Sequence, residues 1–499
     1  MPETSSRTHP SLWAVLAVVV AADIMDLLDA SMTNIAAPVI ERDLGGGHAL
    51  ISWLGASYAL ALGVLLVLGG RLGDKYGQRR IFLTGITGFT LASGVCALAV
   101  SPASLIAGRL AQGAFGALLV PQGFAMLKAT FARKQLTAAF SAFGPLLGVA
   151  AVGGPILGGF IVALNIAGLS WRPMFGVNLI IGSITFIAAR KVLPDVPGDR
   201  GISLDGIGSG LLAATMFSLI YGLITGSETG WTRVPAALLA AGIVFFGLFC
   251  WRQRAAANPL IKPTLLANRG FTSGLVLGLV FFAAVGGMAL ILSLFFQQGR
   301  GTSPAGASLG LVPMALGIVV ASIAAAGLIQ KLGRILILAG LLITLAGVAS
   351  LATVLAISGT HVTVWALVAP IFVLGLGLGT CFGNLFDITI GDVAVSEAGS
   401  ASGSLAAVQQ LATSIGTATL TTVYFTVLTS SGGTRAIITS LIVIAAVTTA
   451  CLALVWLLPR KAATETAPAP ADAEPSHSAP VHDRPNAVVT VAAAEISAS

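Results

Sequence analysis

From Ser11 to Leu458, apolar runs of about twenty residues follow one another with few charges inside them, and this repetition limits the fold more than any other feature. A bilayer core about 30 Å thick is crossed by roughly 20 helical residues. Such runs fall at 12–38, 50–69, 81–99, 104–127, 138–163, 173–190, 207–225, 235–251, 271–297, 303–328, 335–356, 363–386, 402–428 and 436–458. The alternating pattern of a membrane barrel is missing, so helices must satisfy the backbone polar groups inside the bilayer. With 56% hydrophobic and 9% charged residues and a mean hydropathy of +0.95, water cannot be the main solvent. The predicted fold class is an all-α membrane protein with fourteen transmembrane helices.

Lys and Arg then set the orientation. With the N-terminus inside, one set of loops carries Arg71, Lys75, Arg79, Arg80, Lys128, Arg133, Lys134, Arg190, Lys191, Arg200, Arg252, Arg254, Lys262, Arg269, Lys331, Arg334, Arg460 and Lys461. The opposite set holds Arg42, Arg172, Arg233, Arg300 and Arg435. This asymmetry predicts that both termini are cytoplasmic. The net charge of +7 is therefore a topology signal, and no basic domain suited to nucleic acid accompanies it. Residues Met1–Pro10 lack a signal-peptide cleavage pattern, so the first helix is expected to remain. Cys96, Cys250, Cys381 and Cys451 stand singly in or beside apolar segments and read as small core residues.

Polar breaks at 191–206 and 252–270 divide the helices into six, two and six. The predicted organisation is a cytoplasmic N-terminus at 1–11, a six-helix bundle at 12–190, a linker with helices 7 and 8 at 191–269, a second six-helix bundle at 270–458 and a tail at 459–499. From Ala462 the tail is rich in Ala, Pro, Ser and Glu, has no apolar face, and is expected to be disordered.

Ionisable residues within the apolar runs point to function, because charges there are costly. In helix 1, Asp23, Asp26 and Asp29 stand at i, i+3 and i+6, within one broad face. Three carboxylates facing lipid are implausible, so they are expected to line the interior, where a carboxyl can take a proton from one side and release it to the other. Hydrogen bonding to polar helix neighbours is the simpler alternative. In helix 4, Arg109 sits among apolar residues in LIAGRLAQG. It either faces an interior partner or snorkels to the outer interface. Helix 5 carries Gly148, Gly153, Gly154, Pro155, Gly158 and Gly159, which permit close helix packing and a kink. After helix 2, GGRLGDKYGQRR orders its glycines and charges in a way that a plain topology-setting loop does not need.

GRLGDKYGQRR resembles the cytoplasmic signature between helices 2 and 3 of the major facilitator superfamily, and six plus two plus six helices is similar to its fourteen-helix drug:proton antiporter branch. The resemblance extends over almost the whole chain. It implies two six-helix bundles around a central cavity with an inserted helix pair. It also implies a gating motif at Gly70, Arg71, Asp74, Gly77, Arg79 and Arg80, whose charges would latch the outward-facing state. LLDASMTNIAAPVIERDL is similar to the branch's helix-1 signature, whose Asp matches Asp29; Asp26 and Asp23 lie outside the matched part, which makes Asp29 the first choice for proton coupling and Asp26 the second. Arg109 matches the helix-4 Arg linked to that coupling. GGPILGG resembles the antiporter motif, which assigns Gly154, Pro155, Gly158 and Gly159 to export.

Weaker matches are Trp171, Arg172, Phe175 and Asn178 at the entry to helix 6, Asp205, Pro259, Leu260, Gln297, Gln298, Gly301, Pro304 and Pro313. LIQKLGR at Leu328 is a decayed copy of the helix-2 motif. Near the end of helix 12, Asn384, Asp387 and Asp392 stand before helix 13 with Gln409 and Gln410. A second proton or cation site at Asp387, Gln409 and Gln410 competes with a solvated helix end.

His9, His48, His361, His477 and His482 fall in loops or tails, and no phosphate loop, metal spacing or nucleophile elbow occurs, so neither an enzyme nor a cofactor is expected. The expectation is a monomeric, proton-coupled exporter of hydrophobic or cationic drugs in the inner membrane, with substrate, protons and lipid as its partners. An exporter or importer of another metabolite is the alternative. A receptor or scaffold would need neither the helix-1 carboxylates nor a gating motif.

Overall fold

The computed structural model describes residues 12–131, 153–195, 197–201, 205–256, 259–261, 263–326, 328–390, 393 and 398–459. Arg133, Lys134, Gly148, Lys262, Asp392, Arg460, Lys461, the segment 1–11 and the tail from Ala462 lie outside them. Twelve described helices are long and apolar enough to cross a membrane. The carboxylate-bearing α1 (Leu12–Leu44) and the shorter Gly153–Leu164 complete the expected set among the described residues.

In chain order the first bundle holds α1, α2 (Gly47–Tyr76), α3 (Gln78–Ala97), α4 (Pro102–Leu127), α5 (Gly153–Leu164) and α6 (Pro173–Val192). The inserted pair is α7 (Gly206–Thr229) and α8 (Arg233–Ala255), packed on each other. The second bundle holds α9 (Arg269–Gly299), α10 (Pro304–Ala326), α11 (Arg334–Ser358), α12 (Val364–Ile390), α13 (Ala398–Ser431) and α14 (Gly433–Leu454).

Local chemistry sets several boundaries. Ser101 and Ser104 form a reciprocal capping box at the start of α4, with Pro102 in the first turn. The helix-2 motif, expected as a loop, is helical through Tyr76; only Gly77, at φ +96°, separates α2 from α3. Its polar side chains lie at the end of a long helix, so hydropathy alone ends the span too early. For the same reason α1 runs on to Leu44, past Pro38. His48 belongs to α2 and stacks on Phe425 of α13, with ring centroids 3.9 Å apart. Cys96, Cys381 and Cys451 are buried, whereas Cys250 is exposed on α8, so that cysteine is not a core residue.

The described polar contacts between the bundles gather at the end where α1 finishes and α2 begins. Ser52 donates to Thr421 Oγ1 at 2.8 Å, Ser414 to the Ala56 carbonyl at 2.8 Å, and Gln297 to the Ile35 carbonyl at 2.9 Å. Gln297 sits in a π-helical turn that ends α9. At the same end, Trp171 and Arg172 donate to Asp43 Oδ2 at 2.9 and 2.7 Å. The Trp171 hydrogen bond, outweighing the opposing effect of burial and aided by the bond and charge of Arg172, holds Asp43 below its usual range. This clamp is present at neutral pH and is lost as pH falls through the lowered value.

α5 is wedged between the bundles on its glycines. A Cβ on Gly158 would lie 2.9 Å from Met32 Cα of α1, and one on Gly159 would lie 2.7 Å from the Pro304 carbonyl of α10. Gly158→Leu is expected to push α5 off α1 and cost about 1–3 kcal/mol. Its melting temperature in detergent should fall by several degrees, whereas Gly247→Leu, with open space around its Cβ, should melt as wild type does.

Candidate functional site

The polar centre of the first bundle is assembled from five helices around Asp29, which is 1% exposed. Arg109 is also 1% exposed, and its Nη1 donates to Asp29 Oδ2. The partner of this intramembrane cation is therefore interior, and snorkelling does not apply. A buried guanidinium must be neutralised where it sits, and the Asp29 carboxylate does so. Arg109 Nε donates to the Leu54 carbonyl of α2 at 3.2 Å, and Nη1 also reaches Gln112 Oε1 at 3.0 Å.

Asp29 Oδ1 accepts two further bonds, from Gln112 Nε2 at 3.0 Å and from Asn178 Nδ2 at 2.5 Å. Gln112 Nε2 donates as well to Ser93 Oγ at 2.8 Å, and its Oε1 accepts from the Cys96 thiol at 3.3 Å. Both ends of that amide are thus satisfied, which fixes its orientation. The network ties α1 to α2, α3, α4 and α6. Of its members, sequence reasoning valued Asp29 and Arg109 and gave Asn178 a weak family match. Ser93 it missed, and it left Gln112 unassigned within the helix-4 run. Gln112 lies one turn from Arg109, and that i, i+3 spacing was the available signal.

Asp26 stands one turn before Asp29 and is treated differently. It is half-buried, and the Tyr58 hydroxyl of α2 donates to its Oδ1. The Tyr58 ring lies under the Arg109 guanidinium, 4.4 Å from centroid to carbon, so Tyr58 touches both carboxylate environments. Sequence reasoning missed it; one tyrosine in an apolar run carries no pattern. Asp23 is 8% exposed and has no hydrogen-bond partner among the described residues. Among the described residues only Asp29 is paired with the Arg109 guanidinium, so two further carboxylates on the same helix have no cation of their own.

The other predicted positions fall elsewhere. In the α2–α3 motif, Arg71 donates to the Pro259 carbonyl at 2.8 Å, Arg79 to the Arg190 carbonyl at 2.5 Å, and Asp199 N–H to the Asp74 carbonyl at 2.7 Å. The motif is thus anchored to both linker segments, and among the described residues no ion pair joins Asp74 to Arg79 or Arg80. Gly70 lies on α2 beside Pro121, while Gly154, Pro155, Gly158 and Gly159 form the α5 face, where Gly154 approaches Leu28 and Ser31 of α1. Asp387 is exposed near the end of α12, and no described contact joins it to the half-buried Gln409 or Gln410. Asp205 pairs with Arg252 at 3.1 Å across the inserted helices.

The profile of the Major Facilitator Superfamily matches residues 19–417, spanning all of these elements up to the middle of α13. The chain belongs to the major facilitator superfamily. It is 41% identical over 84% of its length to a probable actinorhodin transporter of Streptomyces coelicolor, covering 73% of that protein. It is 31% identical over 84% of its length to a tetracenomycin C resistance and export protein of Streptomyces glaucescens, covering 77% of it. The crystal structure of the POT family transporter PepTSo, 13% identical, superposes with a TM-score of 0.60, covering 89% of this chain and 97% of that one; this likeness shows the fold. This member of the superfamily is a multi-pass membrane transporter of small molecules, not an enzyme, and its relatives export or resist antibiotics.

Arg109→Met is expected to leave Asp29 buried without its cation and cost about 3–5 kcal/mol, seen as a sharp fall in melting temperature. Arg109→Lys should recover little, because a single ammonium cannot reproduce the fork to Asp29, Gln112 and Leu54. Asp29→Asn combined with Arg109→Met should recover part of the loss, and a double variant as unstable as Arg109→Met would contradict the account.

Proposed function

We propose that this protein is a proton-coupled antiporter that exports hydrophobic or cationic antibiotics across the inner membrane, with both termini cytoplasmic. The observation that carries this reading is the surplus of carboxylates over cations on α1: Asp29 is neutralised by Arg109, whereas Asp26 and Asp23 are not. Membrane-embedded carboxyls without a cation are costly to keep ionised, which suits groups that gain and lose protons during a cycle.

The exposure and partners of Asp26 and Asp29 favour Asp26 as the group that exchanges its proton. Asp29, held by Arg109, Gln112 and Asn178, serves as the fixed charge beside it. Asp23, next to Asp26 along the face, extends the proton path toward the cytoplasm. A protonated Asp26 disfavours a cationic substrate, and a deprotonated one attracts it, so the two cargoes alternate at one place.

Positive-inside charge puts the α1–α2 turn outside, and the contacts at that end then close the outer side. Opening it requires α5 to slide on α1 and α10, a role that fits Gly154, Pro155, Gly158 and Gly159. Arg71, Asp74, Gly77, Arg79 and Arg80, with Gly70, would hold the cytoplasmic ends through the linkers. Asp387, Gln409 and Gln410 remain a second place for a cation in the other bundle. The actinorhodin and tetracenomycin C relatives favour an antibiotic over an unrelated metabolite as cargo.

Cells expressing the wild type should extrude ethidium and survive raised antibiotic concentrations, and an uncoupler should abolish the extrusion. Asp26→Asn should lose gradient-driven extrusion at least about tenfold and hold the ethidium cation more weakly, while melting within a few degrees of wild type. Extrusion that persists at full rate with the uncoupler present would remove proton coupling from the account.

A further inference from the structure

Tyr58 is the described residue that touches both carboxylate environments of α1. It is 3% exposed; its hydroxyl donates to Asp26, and its ring lies beneath the guanidinium that neutralises Asp29. The ring is also fixed edge-on against Phe89 of α3, with centroids 6.5 Å apart and planes at 90°. Gly116 of α4 leaves room beside this contact: a Cβ there would lie 3.2 Å from the Tyr58 hydroxyl and 3.4 Å from Asp26 Oδ1. The carbonyl that Arg109 Nε reaches, on Leu54, belongs to the residue one helical turn before Tyr58. Charged groups facing Tyr58 are Asp26 and Asp29 of α1 and Arg109 of α4, with Asp23 beyond Asp26. From α3 come Phe89 and, beyond Gln112, the Cys96 thiol.

We infer that Tyr58 is the positioning residue through which the proton state of Asp26 reaches the Arg109–Asp29 pair. This rests on the proton-exchange reading above and adds the link between its two parts. With Asp26 ionised, the Tyr58 hydroxyl donates to a charged acceptor and the ring is held flat under Arg109. When a proton from the outer side binds a carboxyl oxygen of Asp26, the acceptor loses its charge and the hydroxyl its charge-assisted bond. The ring is then free to leave Arg109, whose fork fastens α4 to α1 and α2. Release of the same proton to the cytoplasmic side restores the hydroxyl bond and the ring position. The tyrosine itself neither gains nor loses a proton.

Proteoliposomes with ethidium as the probe separate this role from a structural one. Two rates are compared: ethidium exchange at equal pH, and ethidium accumulation under an imposed pH gradient. Tyr58→Phe keeps the ring and removes the hydroxyl. It is expected to exchange ethidium within about twofold of wild type, to melt within a few degrees of it, and to lose about tenfold of the stimulation by the gradient. Asp26→Asn should lose the same stimulation, and adding Tyr58→Phe to it should cost nothing further, because one residue acts through the other.

Undiminished stimulation in Tyr58→Phe would overturn the inference. So would losses that multiply in the double variant, or equal loss of both rates together with a lowered melting temperature, which would make Tyr58 a packing residue. A wild type whose ethidium accumulation ignores the pH gradient would instead remove proton coupling, and this inference with it.

Discussion

A guanidinium held among apolar helices has to be neutralised on the spot, and the pairing of Arg109 with Asp29 is the constraint around which the first bundle is arranged. Neither group tolerates that depth alone, so α1 and α4 must meet at these two residues. Gln112, Asn178 and the Leu54 carbonyl then bond the pair, and Gln112 in turn donates to Ser93, which brings in α6, α2 and α3. Such a directional network fixes helix register where hydrophobic contact, being non-directional, would not.

α1 carries this constraint to the rest of the molecule. Along one helix lie Asp23, Asp26 and Asp29, then Leu28, Ser31 and Met32 against the α5 glycines, then the Ile35 carbonyl bonded by Gln297 of the second bundle, and Asp43 in the clamp with Trp171 and Arg172. A change in charge at Asp26 and a change in the contact between bundles are thus separated by a few turns of one rigid element. The α5 face has few side-chain atoms to interlock, so sliding there breaks little. This is a physical connection between the carboxylates and the end of the molecule where the bundles meet.

Much of this was legible in the sequence because the bilayer makes composition informative. Runs of apolar residues placed the helices, and the cost of an intramembrane charge picked out Asp23, Asp26, Asp29 and Arg109 without any knowledge of their partners. Glycines at 154, 158 and 159 announced a close contact, though not that α1 and α10 would supply the two sides. Other features were hidden for definite reasons. Tyr58, Ser93 and Gln112 matter through side-chain contacts between helices far apart in sequence, which no local period encodes. The α2–α3 motif looked like a loop because its charges end the apolar run, yet helical hydrogen bonds continue through Tyr76 at the membrane surface. Arg71 and Asp74 proved to be held by the linker backbone at Pro259 and Asp199, residues whose own composition says nothing about the motif.

The central claim is that protons and substrate move in opposite directions through one site, and the most direct test reads the proton while the substrate drives. Proteoliposomes are placed in weakly buffered medium at equal pH on both sides, ethidium is added outside, and the medium is followed with a pH electrode. If the account is right, entry of ethidium expels protons and the medium acidifies in proportion to the dye taken up, with no acidification in Asp26→Asn. Ethidium that enters through the wild type without any change in external pH would show that this protein moves its cargo alone.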